Sequence, residues 1–391
     1  MEAPGFSPAI RGSKKKWAFA PGARGPYLTF FPAGLKSCAS PVQAAIFALT
    51  QQSLHPLSLE CPRMTVAVRS FAKINIGLEI GPWRPDGFHS LRTVYQTIGL
   101  HDRLQVQAVR GTGIEIRSHD PRVPCDESNT CWRIAERAMK ALKARGRVVI
   151  HVEKSLPVQG GLGGASSNAI ATLLALERAL GRPIPPAERL RLAAEVGSDL
   201  PLFLVGGTVL GVGRGEEVYP LEDLPTLDCV IVTPEVGIST PQAFADWDRK
   251  HEAGSRTQEA RKLTAQPGSD KIVGSSRAVC AWLSGSSTGV PAQRGGDRAE
   301  ALLLDLVHAG IENDFESVVF PLHPELRRVK RALEGAGAAY ASLSGSGSTV
   351  YGLFQSRELA RKAAARLCAD GMAAVATRTL TRREYWKRLW D

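Results

Sequence analysis

From residue 64 onward, apolar positions fall into short runs whose period alternates between two and three to four. Thr65 to Arg69 alternates as a half-buried strand does, and Ala72 to Ile80 continues extended. Trp83 to His89 places Pro85 before Asp86 and Gly87, turn chemistry that ends the run. Leu91 to Ile98, Leu104 to Val109 and Ile114 to Arg117 predict further strands. After Ser128 and Asn129 the period lengthens, with Ile134, Ala138 and Leu142 on one helical face. A strand over Arg147 to Glu153 leads into a glycine-rich loop and a helix from about 166 to 180. Pro185 and Pro186 open another helix, which closes at Gly197.

The second half repeats the mixture. Cys229 to Thr233 reads as a strand, and Thr240 followed by Pro241 as an N-cap with proline at the first helical position. Helices are predicted over Arg298 to His308, Pro324 to Gly335 and Ser356 to Ala369, and strands over Tyr340 to Leu343, Thr349 to Phe354 and Ala373 to Thr379. Interleaved strands and helices predict an α+β chain of two lobes, 64–225 and 226–391. Two stretches lack any period. Residues 1–63 are expected to form a disordered extension. An upstream-assigned start, with Met64 the natural initiator, is the preferred explanation, and an organelle-targeting peptide the alternative. Residues 250–298, rich in Gly, Ser, Arg and Gln, are expected to be a mobile insertion.

Composition narrows the partners. The 391 residues carry a net charge of +11, yet residues 1–63 alone hold seven basic side chains against Glu2 and Glu60. Much of the excess therefore lies outside the patterned body, and what remains suits anionic small molecules better than nucleic acid. No apolar run approaches the ~20 residues of a membrane span. Seven scattered cysteines without a C-x-x-C pair fit a reducing cytoplasm.

The candidate chemistry begins at Pro157 to Asn168. Gly160, Gly161, Gly163 and Gly164 let the backbone approach a ligand closely, and Ser166 and Ser167 stand where the following helix begins. Free N–H groups, hydroxyls and the positive end of a helix dipole converge there, a site for a phosphate chain. No lysine follows as a Walker A loop requires, and the dinucleotide spacing is absent. Charge must then come from elsewhere. Asp199 follows a helix end and precedes an apolar run, where it is either a cap or a partly buried, paired carboxylate. Lys73 lies mid-strand among apolar residues, either an edge gatekeeper or a site residue. As a pair they could accept a hydroxyl proton and neutralise transition-state charge.

Together, the glycine loop, Ala72 to Asn75 and Leu343 to Ser348 resemble the three motifs of the GHMP kinase superfamily. Pro85 to His89, Ser166 to Asn168, Gly197 to Pro201 and Glu312 to Glu316 resemble its members that act on a cytidine diphosphate derivative. The similarity runs from about Met64 to Leu380, outside 250–298. It implies a two-lobed fold: an N-terminal ATP-binding lobe, a C-terminal lobe of antiparallel sheet plus helices, and the active site in the cleft between. It implies ATP-dependent phosphorylation of an alcohol in the non-mevalonate route to isoprenoid precursors. Lys73 and Asp199 take the catalytic positions. Asn129, Lys154, Pro157, Gly160, Gly161, Leu162, Gly163, Gly164, Ala165, Ser166 and Ser167 take those around ATP. Asn75, Phe88, His89, Thr240 and Phe244 match substrate contacts, Phe88 and Phe244 on opposite faces of the base. Mg²⁺ is expected with ATP, and Ser167 is its one candidate ligand. The resemblance implies a small-molecule substrate, no nucleic-acid or membrane partner and a cytoplasmic location, and leaves monomer or homodimer open. Gln159 stands where relatives carry a small residue, which leaves the loop's detailed path open.

Overall fold

A computed structural model describes residues 64–258 and 312–390. The extension over 1–63, most of the 250–298 segment and the helix expected over Arg298 to His308 lie outside the described residues.

Two sheets organise the chain. In the first, β1 (Thr65–Trp83) and β2 (His89–Val109) form a long antiparallel hairpin. The turn chemistry at Pro85 to Gly87 joins them as expected, with Gly87 at φ +79°. Each replaces two shorter expected runs. Register shifts between Phe71 and Lys73 and between Ile76 and Leu78 break the alternation that periodicity relies on without breaking the ladder. The other edge of β2 is shared. Its first half pairs with β5 (Thr208–Val212) and its second half with β4 (Arg147–Glu153), which carries β3 (Gly113–Ser118) in parallel. The strand β6 (Glu217–Pro220) extends β5.

Helices α1 (Thr130–Ala141), α2 (Gly164–Leu180), α3 (Pro186–Val196) and α4 (Leu200–Val205) accompany this sheet. Their apolar faces form one core with it, including Ile134, Ala138, Leu173, Leu176, Leu192 and Phe203. The helix α2 is apolar nearly all round, as a helix buried in a core must be.

In the second sheet the order is β10 (Ala374–Arg378), β7 (Asp228–Val232), β9 (Val350–Phe354), β8 (Tyr340–Leu343), all antiparallel. It is accompanied by α5 (Thr240–Gln258), α6 (Glu316–Leu322), α7 (Pro324–Gly335) and α8 (Arg357–Ala369). The segment read as an insertion from 250 thus begins as a continuation of α5, through Gln258. A second core joins Leu326, Val329 and Leu333 of α7 to Val230, Val350 and Ala363.

A third apolar cluster lies between the sheets, with Ile74 and Ile76 of β1 against Ile231, Tyr351 and Leu353. Tyr351 donates a hydrogen bond across it to the Asn75 carbonyl at 2.8 Å. The chain end returns to the first core through α9 (Arg382–Arg388), which has a capping box at Thr381 and Glu384. Tyr385 of α9 donates to the Phe203 carbonyl at 2.7 Å.

Candidate functional site

The site forms where the open edge of β1 meets the glycine loop. The Lys73 amide donates to the Leu162 carbonyl at 3.0 Å, so the loop covers that edge. Lys73 is consequently 3 % exposed, which removes the solvent-facing gatekeeper role. Its Nζ donates to Asn75 Oδ1 and to the Gly161 carbonyl, both at 2.7 Å, and lies 3.8 Å from Asp199 Oδ2. Burial lowers the lysine pKa, and the neighbouring Asp199 carboxylate pulls it partly back.

Asp199 precedes α4 without capping it through its side chain. That disposes of the capping alternative. Its Oδ1 accepts a 3.0 Å hydrogen bond from the Tyr95 hydroxyl. Burial first, then the carboxylate, push the Tyr95 pKa well above its ordinary value, so the phenol remains a donor. Tyr95 was not among the expected residues. It is the register partner of Asn75, and partners in an antiparallel ladder share a face. Knowing that register would have found it. Asn75 in turn donates to Thr93 Oγ1 at 2.8 Å.

Along the glycine loop, positive φ recurs at Gln159 (60°), Gly161 (75°) and Gly163 (69°). Alternation of this kind curls backbone N–H groups into an anion-binding concavity. Gln159 thus keeps a left-handed turn despite its side chain. A Cβ on Gly161 would lie 2.2 Å from the Ser344 carbonyl oxygen, so no larger residue fits. The Ser344 to Ser348 loop braces this contact: Ser344 Oγ donates to the Gly161 carbonyl at 3.0 Å, and the Thr349 amide to Gly160 at 3.2 Å. Asn313 holds the brace, donating to the Leu343 and Gly345 carbonyls at 2.8 Å each.

A cleft of about 370 Å³ runs from this loop to the start of α1. Among its lining residues are Asn129, Lys154, Pro157, Gly160 to Gly164, Ala165 and Ser166, together with Arg122 and Pro124, which were not expected. Asn129 caps α1 through Oδ1 and donates to the Pro124 carbonyl at 2.6 Å. Lys154 pairs at 2.5 Å with Asp102, which is fully buried and also accepts the Ser155 and Leu156 amides. Ser167 is set apart from the cleft: it is buried, and its Oγ accepts from Ser70 Oγ at 2.7 Å.

At the far end of the β1–β2 hairpin, His89 donates from Nδ1 to the Gly81 carbonyl at 2.9 Å, and its Nε2 lies 2.8 Å from Asp248 Oδ1. Phe244 stacks on the imidazole with centroids 5.6 Å apart and planes 6° from parallel, too close for a third ring between them. Phe88 lies apart from this stack, 52 % exposed, with the Arg214 guanidinium 5.0 Å from its ring centroid. The expected pairing of Phe88 with Phe244 about one base is therefore not formed in this state. Thr240 is the first helical residue of α5 instead of its cap, and its hydroxyl meets Ser346 Oγ at 2.8 Å.

A buried ammonium and a carboxylate at the mouth of a phosphate-shaped loop form a phosphoryl-transfer arrangement. The family models for the GHMP kinases N terminal domain and the GHMP kinases C terminal match residues 129–207 and 298–372. The chain is 38 % identical over 325 residues to the 4-diphosphocytidyl-2-C-methyl-D-erythritol kinase of Solibacter usitatus (strain Ellin6076), spanning 83 % of this chain and 91 % of that protein. It belongs to the 4-diphosphocytidyl-2-C-methyl-D-erythritol kinase family. The kinase of that name from Acaryochloris marina (strain MBIC 11017) is 34 % identical, across 80 % of this chain and 92 % of its own. A crystal structure of 4-(cytidine 5'-diphospho)-2C-methyl-D-erythritol kinase aligns with TM-score 0.58 at 29 % identity, covering 80 % of this chain and 98 % of that one. A homoserine kinase from Cytophaga hutchinsonii aligns at TM-score 0.60 and 20 % identity, a likeness of fold, over 83 % and 97 % of the two chains. The two-lobed α+β expectation holds, as does that of an ATP-dependent small-molecule kinase.

Proposed function

We propose that the chain transfers the γ-phosphoryl group of ATP to the 2-hydroxyl of 4-diphosphocytidyl-2-C-methyl-D-erythritol, giving the 2-phosphate and ADP. The reaction belongs to the non-mevalonate route to isoprenoid precursors. The observation that carries this reading is the Lys73–Asp199–Tyr95 cluster at the mouth of the glycine loop. Asp199 is positioned to receive the hydroxyl proton as the acceptor oxygen bonds to phosphorus and the bond to ADP breaks. Lys73 offsets the negative charge that gathers on the transferring group. The cleft from the glycine loop to Asn129 and Lys154 takes ATP, and the hairpin end with Phe88, His89 and Phe244 takes the cytidine. Thr240 and Asn75 complete the acceptor wall. The stack of His89 on Phe244 means that the base must lie on an outer ring face or displace one ring.

No group of three or more His, Cys, Asp or Glu among the described residues could hold a metal alone. Mg²⁺ is therefore assigned to the nucleotide phosphates, with Ser167, at the start of the helix after the glycine loop, as the candidate protein ligand. The substrates are small anions, which suits a cytoplasmic enzyme with no nucleic-acid or membrane partner. Lobes 64–225 and 226–391 are the proposed units, the second sending α9 back onto the first.

A coupled ADP-release assay tests the reading with three acceptors: the cytidyl alcohol, homoserine and mevalonate. Turnover is expected with the first alone, and Asp199→Asn is expected to lower kcat by about 10²–10⁴-fold. Preference for another acceptor would reject the substrate, and near-normal turnover of Asp199→Asn would reject the role of the carboxylate.

A further inference from the structure

The two ends of the acceptor site are occupied by the Phe88–His89 turn and by Asp199, and the acceptor's diphosphate must lie between them. The β5–β6 turn crosses that interval. It closes through the Gly215 amide on the Val212 carbonyl at 2.9 Å, with Gly213 at φ +71° and Gly215 at φ +99°. A Cβ on Gly215 would lie 2.5 Å from the Tyr95 hydroxyl oxygen, the same oxygen that donates to Asp199. Arg214, one residue earlier, reaches the other way and places its guanidinium 5.0 Å from the Phe88 ring centroid. One short turn thus touches both the catalytic end and the aromatic end.

The guanidinium is prepared for a ligand. Its Nε donates to Glu216 Oε1 at 3.0 Å, and the other carboxylate oxygen accepts the Arg214 amide at 2.6 Å. Glu216 is thereby neutralised locally and acts as an orienting strut. Nη1 and Nη2 have no hydrogen-bond partner among the described residues, and the side chain is 31 % exposed. The nearby Asp86 carboxylate is paired with Arg84 through bonds of 3.1 to 3.3 Å. Lys73 is committed to Asn75 and Gly161 beside the phosphoryl-transfer point. A planar fork with free terminal N–H groups, placed over an aromatic ring and oriented by Glu216, matches the oxygen pair of a phosphate.

We infer that Arg214 is the anchor for the diphosphate of the acceptor, and that its contact distinguishes a nucleoside diphosphate derivative from an uncharged nucleoside. The assignment rests on the proposed acceptor. Calorimetric titration of CDP and of cytidine, with the ATP cleft saturated by a non-hydrolysable ATP analogue, tests it directly. Arg214→Gln should weaken CDP about 10–100-fold, the loss of a charge-assisted pair, and leave cytidine unchanged. Arg214→Lys should recover part of the loss, because it restores the charge without the fork. In steady state the acceptor KM should rise by the same factor while the ATP KM stays fixed. An unchanged CDP affinity in Arg214→Gln would overturn the assignment. Equal weakening of CDP and cytidine would also overturn it, by revealing a merely structural role. A wild-type enzyme that releases ADP with homoserine or mevalonate but not with the cytidyl alcohol would reject the underlying substrate reading, and the assignment with it.

Discussion

Tyr95→Phe isolates one contact in the catalytic cluster. The ring stays in place: it is 2 % exposed, and a Cβ on Gly211 would sit 2.4 Å from its edge, so the pocket is shaped for the six-membered ring and not for the hydroxyl alone. Only the 3.0 Å donation to Asp199 Oδ1 is lost. Lys73 cannot compensate directly, because its Nζ is 3.8 Å from the other carboxylate oxygen and is held by Asn75 and the Gly161 carbonyl. Loss of a hydrogen bond to a charged group costs about 1.5–3 kcal/mol. The Asp199 side chain is 35 % exposed, so water can replace part of the donor and the lower end applies. About 1.5 kcal/mol in the transition state lowers kcat roughly tenfold. ATP binds through the glycine loop, which Tyr95 does not touch, so the ATP KM should hold. Steady-state ADP release at varied ATP and acceptor measures both. A Tyr95→Phe kcat within about twofold of wild type would refute the claim that the phenol positions the carboxylate.

Two further perturbations probe the loop and the lysine. Gly161→Ala adds a methyl 2.2 Å from the Ser344 carbonyl oxygen at a φ of +75°, and should cost about 2–4 kcal/mol in strain and overpacking, read as a lower urea midpoint. It should also disturb Lys73, which bonds the Gly161 carbonyl, so an unaltered midpoint with unaltered kcat would contradict the close packing. For Lys73, burial sets the folded pKa below 10.5, so between that lowered value and 10.5 the unfolded chain holds more protons and stability rises with pH. In the same window kcat should fall as the ammonium is lost. Lys73→Met should remove this contribution, and a stability–pH curve parallel to wild type up to 10.5 would count against it.

What could be read from the chain depended on how local the signal was. The glycine loop, the turn at Pro85 to Gly87 and the apolar helix after it are contiguous patterns, and each folds where its sequence places it. Lys73 and Asp199 were ambiguous because burial and pairing depend on what covers them, and the cover is the glycine loop 88 residues beyond Lys73. Tyr95 and Arg214 carried no local mark: the first is defined by its ladder register with Asn75, the second by a tight turn in a hairpin too short for periodicity to announce. The short elements α4, α6 and α9 were invisible for the same reason, since seven residues or fewer barely span two turns. Long strands failed differently. Bulges at Phe71 to Lys73 and Ile76 to Leu78 reset the alternation, so one ladder reads as two. These irregularities flank the two polar side chains that β1 turns into the cleft. Between them the register is uninterrupted, and plain alternation sends Lys73 and Asn75 to one face and Ile74 and Ile76 to the other. One short stretch of strand thereby serves both the apolar layer between the sheets and the polar site. The bulges hide the length of the strand, and the regular alternation between them builds the site.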